Sequence, residues 1–368
     1  MAFDEVRIAG NEEKARNFVE RAMGENCHFV FVISYTKTCE IHGITAAGAN
    51  PELLQYTPAA DAEFIYHGEC KCINAVPATP DGKPTPALLT RAALNKAQIP
   101  LHVVDAGSKI KPHVPYVTFE VEDGENISNG HALGIESVKK AFDNGVKLGS
   151  KLSESIKYIV IGESIPGGTT TALGVLLAMG IDARFKVSSS MPDNPHKLKL
   201  SIIENGMKSA GISFGSLANK PLEAVSYMGD PMMPSVAGIA IGASKRCSVM
   251  LAGGTQMAAA LSIINAIDDK SLERVVIGTT RYILDDRSSD ICNLIGSIAD
   301  VPILAADPYL HKSRKEGLRA YANGFVKEGA GAGGACIAAM LKSQGSINAN
   351  ALLQEIENEY EHSIERSF

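Results

Sequence analysis

The chain reads as an α/β protein: a Rossmann-like parallel sheet with helices on both faces, plus a small helical subdomain. Three observations predict this. Short continuous apolar runs recur along the sequence, stretches of helical length separate several of them, and the residues that close those runs are small or polar. A strand that is apolar on both faces is buried on both, as in a parallel sheet covered by crossover helices.

Seven runs have strand character: His28 to Ser34, Glu63 to Tyr66, Leu101 to Asp105, Tyr158 to Ile161, Ser248 to Leu251, Val275 to Gly278 and Val301 to Ala305. Helical pattern covers His131 to Leu152, Gly168 to Met179, Pro195 to Ala210, Ser235 to Lys245, Thr255 to Ile267 and Ser288 to Ala299. Ligands of such sheets bind beyond the carboxyl ends of the strands. Those ends read Asp105-Ala106-Gly107, Gly162-Glu163-Ser164, Ala252-Gly253-Gly254-Thr255, Gly278-Thr279-Thr280 and Ala306-Asp307-Pro308, so several are expected to share one pocket. No Ser/Gly/Pro linker, low-complexity tract or repeat divides the chain. One domain over residues 1–368 is expected, with N- and C-terminal helical segments available for the small subdomain.

At 368 residues and 45 % hydrophobic content the chain can bury a large core. A net charge of −6, with no basic stripe and no basic amphipathic helix, argues against nucleic acid and membrane surfaces as partners and leaves small molecules. The opening Met1-Ala2-Phe3-Asp4-Glu5 carries acids where a secretory signal has a basic region, and no apolar run reaches membrane-spanning length, so a cytoplasmic location is expected. Seven scattered cysteines suit free thiols better than a disulfide framework. Cys70-Lys71-Cys72, near His67, is the one cluster with a hint of metal binding, but cysteines one residue apart point to opposite faces of a strand and no second Cys/His pair follows. Neither a metal nor another cofactor is expected.

The most informative stretch is Tyr158-Ile159-Val160-Ile161-Gly162-Glu163-Ser164-Ile165-Pro166-Gly167-Gly168-Thr169-Thr170-Thr171. A buried strand, a glycine turn and a helix bring backbone N–H groups together around Gly167, Gly168, Thr169 and Thr170, where the positive end of a helix dipole favours an anion. The spacing Gly162-x4-Gly167 resembles the start of a triphosphate-binding loop, but Gly168 stands where that loop has its lysine, which points to a monophosphate. The same glycines would serve a turn that is only packing. Glu163 closes the strand, placed for chemistry or a ribose contact. A second landmark is Glu328, at the mouth of Gly329-Ala330-Gly331-Ala332-Gly333-Gly334-Ala335, a segment without a side-chain cation. Desolvation there raises a carboxyl group above its usual value of about 4.3, toward the range of a general base. A glutamate that merely satisfies a helix N-terminus fits the same pattern.

In order along nearly the whole chain, these segments resemble the nicotinate-nucleotide:dimethylbenzimidazole phosphoribosyltransferase family, as a divergent branch. His42-Gly43-Ile44-Thr45-Ala46-Ala47-Gly48 is similar to the family's Asp-His-Gly-Val/Ile-x-x-x-Gly segment, with Ile41 in place of the aspartate. Val103-Val104-Asp105-Ala106-Gly107 matches a Val-Asp-x-Gly strand end, and Ile127-Ser128-Asn129-Gly130 a Thr-x-Asn turn. Gly162-Glu163 through Thr169-Thr170 corresponds to Gly-Glu-Met-Gly-Ile-Gly-Asn-Thr-Thr, with Gly168 replacing the asparagine, so only backbone donors carry over. Lys199 to Glu204 is similar to a Lys-x-x-x-Ile-Glu helix whose lysine faces the phosphate, although a helix lysine is by itself a solvated charge. Pro221-Leu222-Glu223 with Gly229-Asp230-Pro231, and Val249 to Gln256 with Gly253 and Gly254, follow the family's Gly-Gly-Pro and Val-Asp-Gly-Phe order with substitutions. Glu328-Gly329-Ala330-Gly331-Ala332 stands where the family has Glu-Gly-Thr/Ser-Gly-Ala, whose glutamate is the catalytic base.

The resemblance implies phosphoribosyl transfer from nicotinate mononucleotide to a benzimidazole-type base, giving an α-ribazole 5′-phosphate and nicotinate in cobamide lower-ligand synthesis, by a homodimer. It assigns Glu328 and Glu163 to catalysis. Gly167, Gly168, Thr169, Thr170, Lys199, Gly253 and Gly254 fall to the phosphate and nucleotide, and His42, Asp105, Gly329 and Gly331 to the base pocket. A ring nitrogen attacks ribose C1′ as the base sheds its other N–H proton, so a desolvated carboxylate suits the step, at a rate gain on the order of 10²- to 10⁴-fold. The loop Pro80-Asp81-Gly82-Lys83-Pro84-Thr85-Pro86 is either a wall of the base pocket or a surface turn. Two other classes stay open. A non-catalytic nucleotide-binding sensor or assembly protein keeps the glycine loop without needing Glu328, and a nucleotide hydrolase releases nicotinate with no acceptor. Tyr282 to Ser289 begins like the acidic motif of pyrophosphate-dependent phosphoribosyltransferases but lacks its closing glycine turn, so Asp285 and Asp286 are expected to be a solvated, helix-capping pair.

Overall fold

Eight strands form one sheet in the computed structural model, which describes residues 5–47, 50–79 and 83–365. In chain order they are β1 Val6–Ala9, β2 Cys27–Ile33, β3 Leu101–Asp105, β4 Tyr116–Thr118, β5 Tyr158–Ser164, β6 Ser248–Ala252, β7 Val275–Thr280 and β8 Ile303–Ala306. Across the sheet they lie β1-β8-β7-β6-β5-β2-β3-β4. All neighbours are parallel except β1 with β8, so the expected parallel sheet carries one antiparallel edge.

Successive side chains of the inner strands enter opposite layers, which is why these strands are continuously apolar. Val30, Val32, Ile159, Ile161, Val249 and Leu251 join the helices Ile135–Leu152, Gly168–Ala178, His196–Ala210, Pro221–Met228, Met232–Ser244 and Gln256–Ile267. Phe29, Phe31, Tyr158, Val160, Met250 and Ala252 face the helices Glu12–Ala22, Thr57–His67, Ala87–Ala97, Ala332–Lys342 and Ala349–Ser363. Among the described residues, no helix is long and apolar enough to cross a membrane.

The chain steps outward from β2 to β3 and β4, returns to β5 on the other side of β2, and then steps outward through β6, β7 and β8. That reversal between β2 and β5 is the switch point of the sheet. Loops leaving the two strands turn to opposite faces there and open a crevice at their carboxyl ends.

Two expected elements change. Glu63 to Tyr66 is not a strand but the last part of the helix Thr57–His67, which has Pro58 in its first turn and Gly68 beyond its end at φ 84°. A four-residue apolar run does not separate strand from helix by periodicity, and the proline and glycine punctuation decides it. The helix expected over Ser288 to Ala299 contracts to Ile291–Gly296, because the Asp290 carboxylate accepts the Asn293 amide and caps the helix there. The edge strands β1 and β4 and the helix Ala87–Ala97 lie outside the expected set, while Glu12–Ala22 and Ala349–Ser363 are N- and C-terminal helices.

Candidate functional site

Beyond the carboxyl end of β5 lies a cavity of about 180 Å³. Glu163 to Thr169, Gly254, Gln256, Ser188 to Ser190 and Glu328 to Ala330 give it polar surface, and Ile73, Val76, Pro77, Pro84 and Pro86 an apolar wall. An apolar void of roughly 150 Å³ accommodates a benzene ring, so an aromatic ring fits against this wall.

The glycine turn is built as β5 runs out. Gly167 takes φ 77°, a conformation side-chain-bearing residues avoid, and the helix starts at Gly168. Gly168 N–H donates to the Ile165 carbonyl at 3.3 Å and Thr170 N–H to the Gly167 carbonyl at 2.9 Å, closing the turn. The Gly167 and Thr169 amides have no acceptor among the described residues and border the cavity, so they are donors available to an anion. Thr170 does not line the cavity; its hydroxyl is buried without a partner among the described residues.

Glu163 is buried on the cavity side of β5, and Gln256 Nε2 donates to its Oε1 at 3.1 Å. Burial, followed by the charges of Asp230, Glu328 and Asp61, pushes its carboxyl up to about 8. Glu328 comes from a different part of the chain and remains reachable from the cavity. Its Oε2 accepts the Thr280 amide at 2.8 Å, and its Oε1 the amides of Gly329 and Gly333, each at 3.2 Å. Burial still outweighs these donors and pushes the group up to about 7. The general-base reading and the helix-terminus reading therefore meet in one residue, since Gly333 belongs to the first turn of the helix Ala332–Lys342.

The loop presenting Glu328 is strained. Val326, Lys327 and Ala330 have φ of 61°, 64° and 51°, at a cost on the order of 1–3 kcal/mol each. Pins on several sides hold it: Val326 N–H on the Ser190 carbonyl at 2.8 Å, the Thr280 hydroxyl on the Lys327 carbonyl at 2.6 Å, and the Thr90 hydroxyl on the Ala330 carbonyl at 2.8 Å. Lys327 is buried and pairs with Asp286 at 3.1 Å. Asp286 is thus not the solvated residue the sequence implied. It is mostly enclosed and takes Lys327, Ser288 and Ser289, while Asp285 does lie exposed, paired with Arg7 and Arg281.

The remaining expected residues divide. Gly167, Gly168, Gly254 and Gly329 line the cavity. Gly253 backs Glu163, and Gly331 packs on Gly162 and Phe29 behind the wall. Lys199 is fully buried: its Nζ donates to the Ser188 carbonyl at 2.7 Å and to Asn194 Oδ1 at 3.1 Å. Burial and then Lys327 push it down to about 7. It is neither a solvated helix charge nor a wall of the cavity; it fastens the serine loop that is one. His42 is exposed and outside the wall, whereas Ile44 to Ala47 line it. Asp105 is buried away from the cavity, taking Ser108 and Lys111. Of the proline loop, Pro84 to Pro86 line the cavity; Pro80 to Gly82 lie outside the described residues. Cys70-Lys71-Cys72 bends so that the Lys71 and Cys72 amides donate to Glu63. Burial opposes ionisation of Glu63, yet these donors and His113 hold it down to about 2.

Sequence reasoning missed Asp61, Asp230, Gln256 and the serines 188–190. Asp61 and Asp230 are buried carboxyl groups pushed up to about 6 by burial. Asp230 accepts the Thr171 hydroxyl and the Met232 and Met233 amides, a helix-capping pattern that Gly229-Asp230-Pro231 could have signalled.

A phosphoribosyltransferase family model matches residues 89–281, a span that includes Glu163 and the glycine turn and stops short of Glu328. The UPF0284 protein of Archaeoglobus fulgidus is 47 % identical over 336 residues, which cover 91 % of this chain and 94 % of that protein. Its counterpart in Methanothermobacter thermautotrophicus is 43 % identical over 343 residues, covering 92 % and 93 %. Among solved structures, the nicotinate-nucleotide-dimethylbenzimidazole phosphoribosyltransferase of Thermus thermophilus superposes with a TM-score of 0.58 at 14 % identity over 94 % of both chains, a likeness of fold.

The raised carboxyl groups make stability fall with pH. A group whose folded pKa lies above its unfolded value contributes stability that is complete below the unfolded value and is lost as pH rises through the folded one. For Glu163 the window runs from the ordinary glutamate range up to about 8, with a loss on the order of 3–5 kcal/mol once complete. Urea unfolding at pH 5 and at pH 9 should show Glu163→Gln closing much of the wild-type drop; an equal drop in both proteins contradicts the burial of charge there. Asp286→Ala, which strands Lys327 in the interior, should destabilise by about 3–5 kcal/mol, measured by the same method, and a loss under about 1 kcal/mol, the size of an exposed pair, would show this one to be dispensable.

Proposed function

We propose, for a chain that belongs to the phosphoribosyltransferase family, that the donor is nicotinate mononucleotide and the acceptor a benzimidazole-type base. The products are an α-ribazole 5′-phosphate and nicotinate, the activation of a cobamide lower ligand. The observation that carries this reading is the pair Glu163 and Glu328, two carboxyl groups in one cavity with no cation paired to either among the described residues, raised to about 8 and about 7. The Thermus thermophilus enzyme, whose name states this reaction, shares the fold and lends further support.

In the reaction, a ring nitrogen of the acceptor bonds to ribose C1′ while the bond from C1′ to the nicotinate nitrogen breaks, and nicotinate leaves with that electron pair. The proton on the acceptor's other nitrogen passes to the Glu328 carboxylate. Backbone N–H donors hold Glu328 in place without neutralising it, so it keeps its affinity for a proton. Glu163, protonated over most of the neutral range, donates to the ribose instead of repelling the phosphate. The 5′-phosphate sits at the glycine turn, on the Thr169 amide and the positive end of the helix Gly168–Ala178. Lys199 acts one layer back, by fastening Ser188.

Nicotinate release assayed with and without a benzimidazole separates the alternatives: release that requires the base supports transfer, and release without it marks a hydrolase. Binding of the nucleotide with no release marks a sensor. A base must be ionised, so kcat/KM should rise as pH rises through about 7. Glu328→Gln should flatten that limb and lower kcat by about 10²- to 10⁴-fold with nucleotide affinity retained; near-normal turnover sinks the assignment, and loss of turnover in Glu163→Gln instead would pass the base role to Glu163. A Cβ on Gly168 would lie 2.8 Å from Ile165 Cγ2 and 3.2 Å from Gln256 Cγ. Gly168→Val should therefore raise KM for the nucleotide by roughly tenfold or more while leaving the fold stable, and an unchanged KM removes the phosphate from this turn.

A further inference from the structure

Asp61 is a carboxyl group of the same cavity that the transfer step leaves unused. It projects from the helix Thr57–His67, is 5 % exposed, and lines the cavity beside Thr57, Ala60 and Thr85. Each of its oxygens accepts one hydroxyl: Thr85 Oγ1 donates to Oδ1 and Ser164 Oγ to Oδ2, both at 2.7 Å. No cation and no backbone N–H among the described residues reaches it. A carboxylate offers about four lone-pair sites, so about half of its accepting capacity is unmet. Asp230, equally buried, differs in having its remaining capacity taken by two helix amides.

The surroundings of Asp61 are those of an aromatic slot. Pro77 and Pro84 lie on two antiparallel segments joined by Thr79 N–H on the Lys83 carbonyl at 2.9 Å and Thr85 N–H on the Pro77 carbonyl at 3.1 Å. With Val76 and Pro86 they present flat apolar surface to the cavity. The same Thr85 orients Asp61, and Ser164, the residue after Glu163, orients it through its other oxygen. A ring edge that reaches Asp61 meets an acceptor without a donor. A methyl group placed there leaves a desolvated carboxylate unpaired, whereas an N–H or O–H gives it a charge-assisted hydrogen bond.

Resting on the transfer reading, the geometry points to Asp61 as a specificity-determining residue that selects acceptor bases carrying an exocyclic hydrogen-bond donor, an amino- or hydroxyl-substituted bicyclic aromatic, over those carrying only methyl groups. Sites built to bond a substrate hydroxyl reject the analogue that lacks it far more strongly than an apolar pocket rejects an extra group.

The test compares kcat/KM for 5-hydroxybenzimidazole and 5-methylbenzimidazole, which differ by one hydroxyl for one methyl, with nicotinate mononucleotide as donor. The wild-type ratio should be about 10- to 100-fold in favour of the hydroxyl. Asp61→Leu should bring it to one or below, and Asp61→Asn, which keeps an acceptor oxygen without the charge, should leave an intermediate value. A wild-type ratio near one overturns the inference whether or not either variant folds. So does a ratio that neither variant changes, or a uniform loss with both bases, which would make Asp61 a structural partner of Thr85 and Ser164. Nicotinate release with either base at a ratio near one leaves transfer standing; no release with any base removes the transfer reading and this inference with it.

Discussion

The arrangement of the site depends on Glu328 being held by backbone amides, with no cation paired to it among the described residues. Those amides come from Thr280 at the end of β7, from Gly329 in the strained loop and from Gly333 in the helix that follows. The geometry requires that helix to touch the strand end: a Cβ on Gly333 would lie 2.0 Å from the Thr279 carbonyl carbon. Close contacts of this kind recur along the Gly/Ala run after Glu328, with Gly331 against Gly162 and Phe29 and Gly334 against Ala252, while the buried pair of Lys327 and Asp286 anchors the left-handed loop before it. A side-chain cation in place of the amides would satisfy the carboxylate equally well but lower its proton affinity, which would unfit it for the proposed role of base.

The charge distribution follows from the same choice. Glu163, Glu328, Asp61 and Asp230 lie close enough that three of them raise the fourth. The two buried lysines nearest to them point elsewhere, Lys199 to the Ser188 carbonyl and Lys327 to Asp286. With about 8 for Glu163, the cavity at neutral pH carries less negative charge than its carboxyl groups would total if all were ionised. That partial neutralisation suits the proposed approach of an anionic nucleotide to a turn that offers amides and a helix dipole.

Much of this was legible in the chain. The six correctly placed strands and the glycine turn announce themselves locally, through continuous apolar runs and a Gly167-Gly168 pair that sits where φ turns positive. Glu163 and Glu328 could be singled out because each is a lone acid in an apolar or glycine-rich neighbourhood. What stayed hidden depends on contacts between distant segments. Asp61 could not be found because Glu63 to Tyr66 reads as a strand, which turns the helix carrying Asp61 into a loop. Its partners lie 24 and 103 residues away. Lys199 reads as a surface lysine because nothing nearby in sequence shows that the carbonyl of Ser188 and the amide oxygen of Asn194 will enclose it. His42 and Asp105 matched a pattern, but the fold uses Asp105 to close its own turn and leaves His42 in solvent.

The central claim is that two glutamates of this cavity keep their protons far above the ordinary carboxylate range. It is tested most directly by carbon-13 NMR titration of the glutamate side-chain carboxyl groups, assigned with Glu163→Gln and Glu328→Gln. Two resonances should titrate late, near the values of about 8 and about 7 that burial imposes on Glu163 and Glu328. If every glutamate completes its titration near the ordinary value of about 4.3, the carboxyl groups are solvated and the account of the site is wrong.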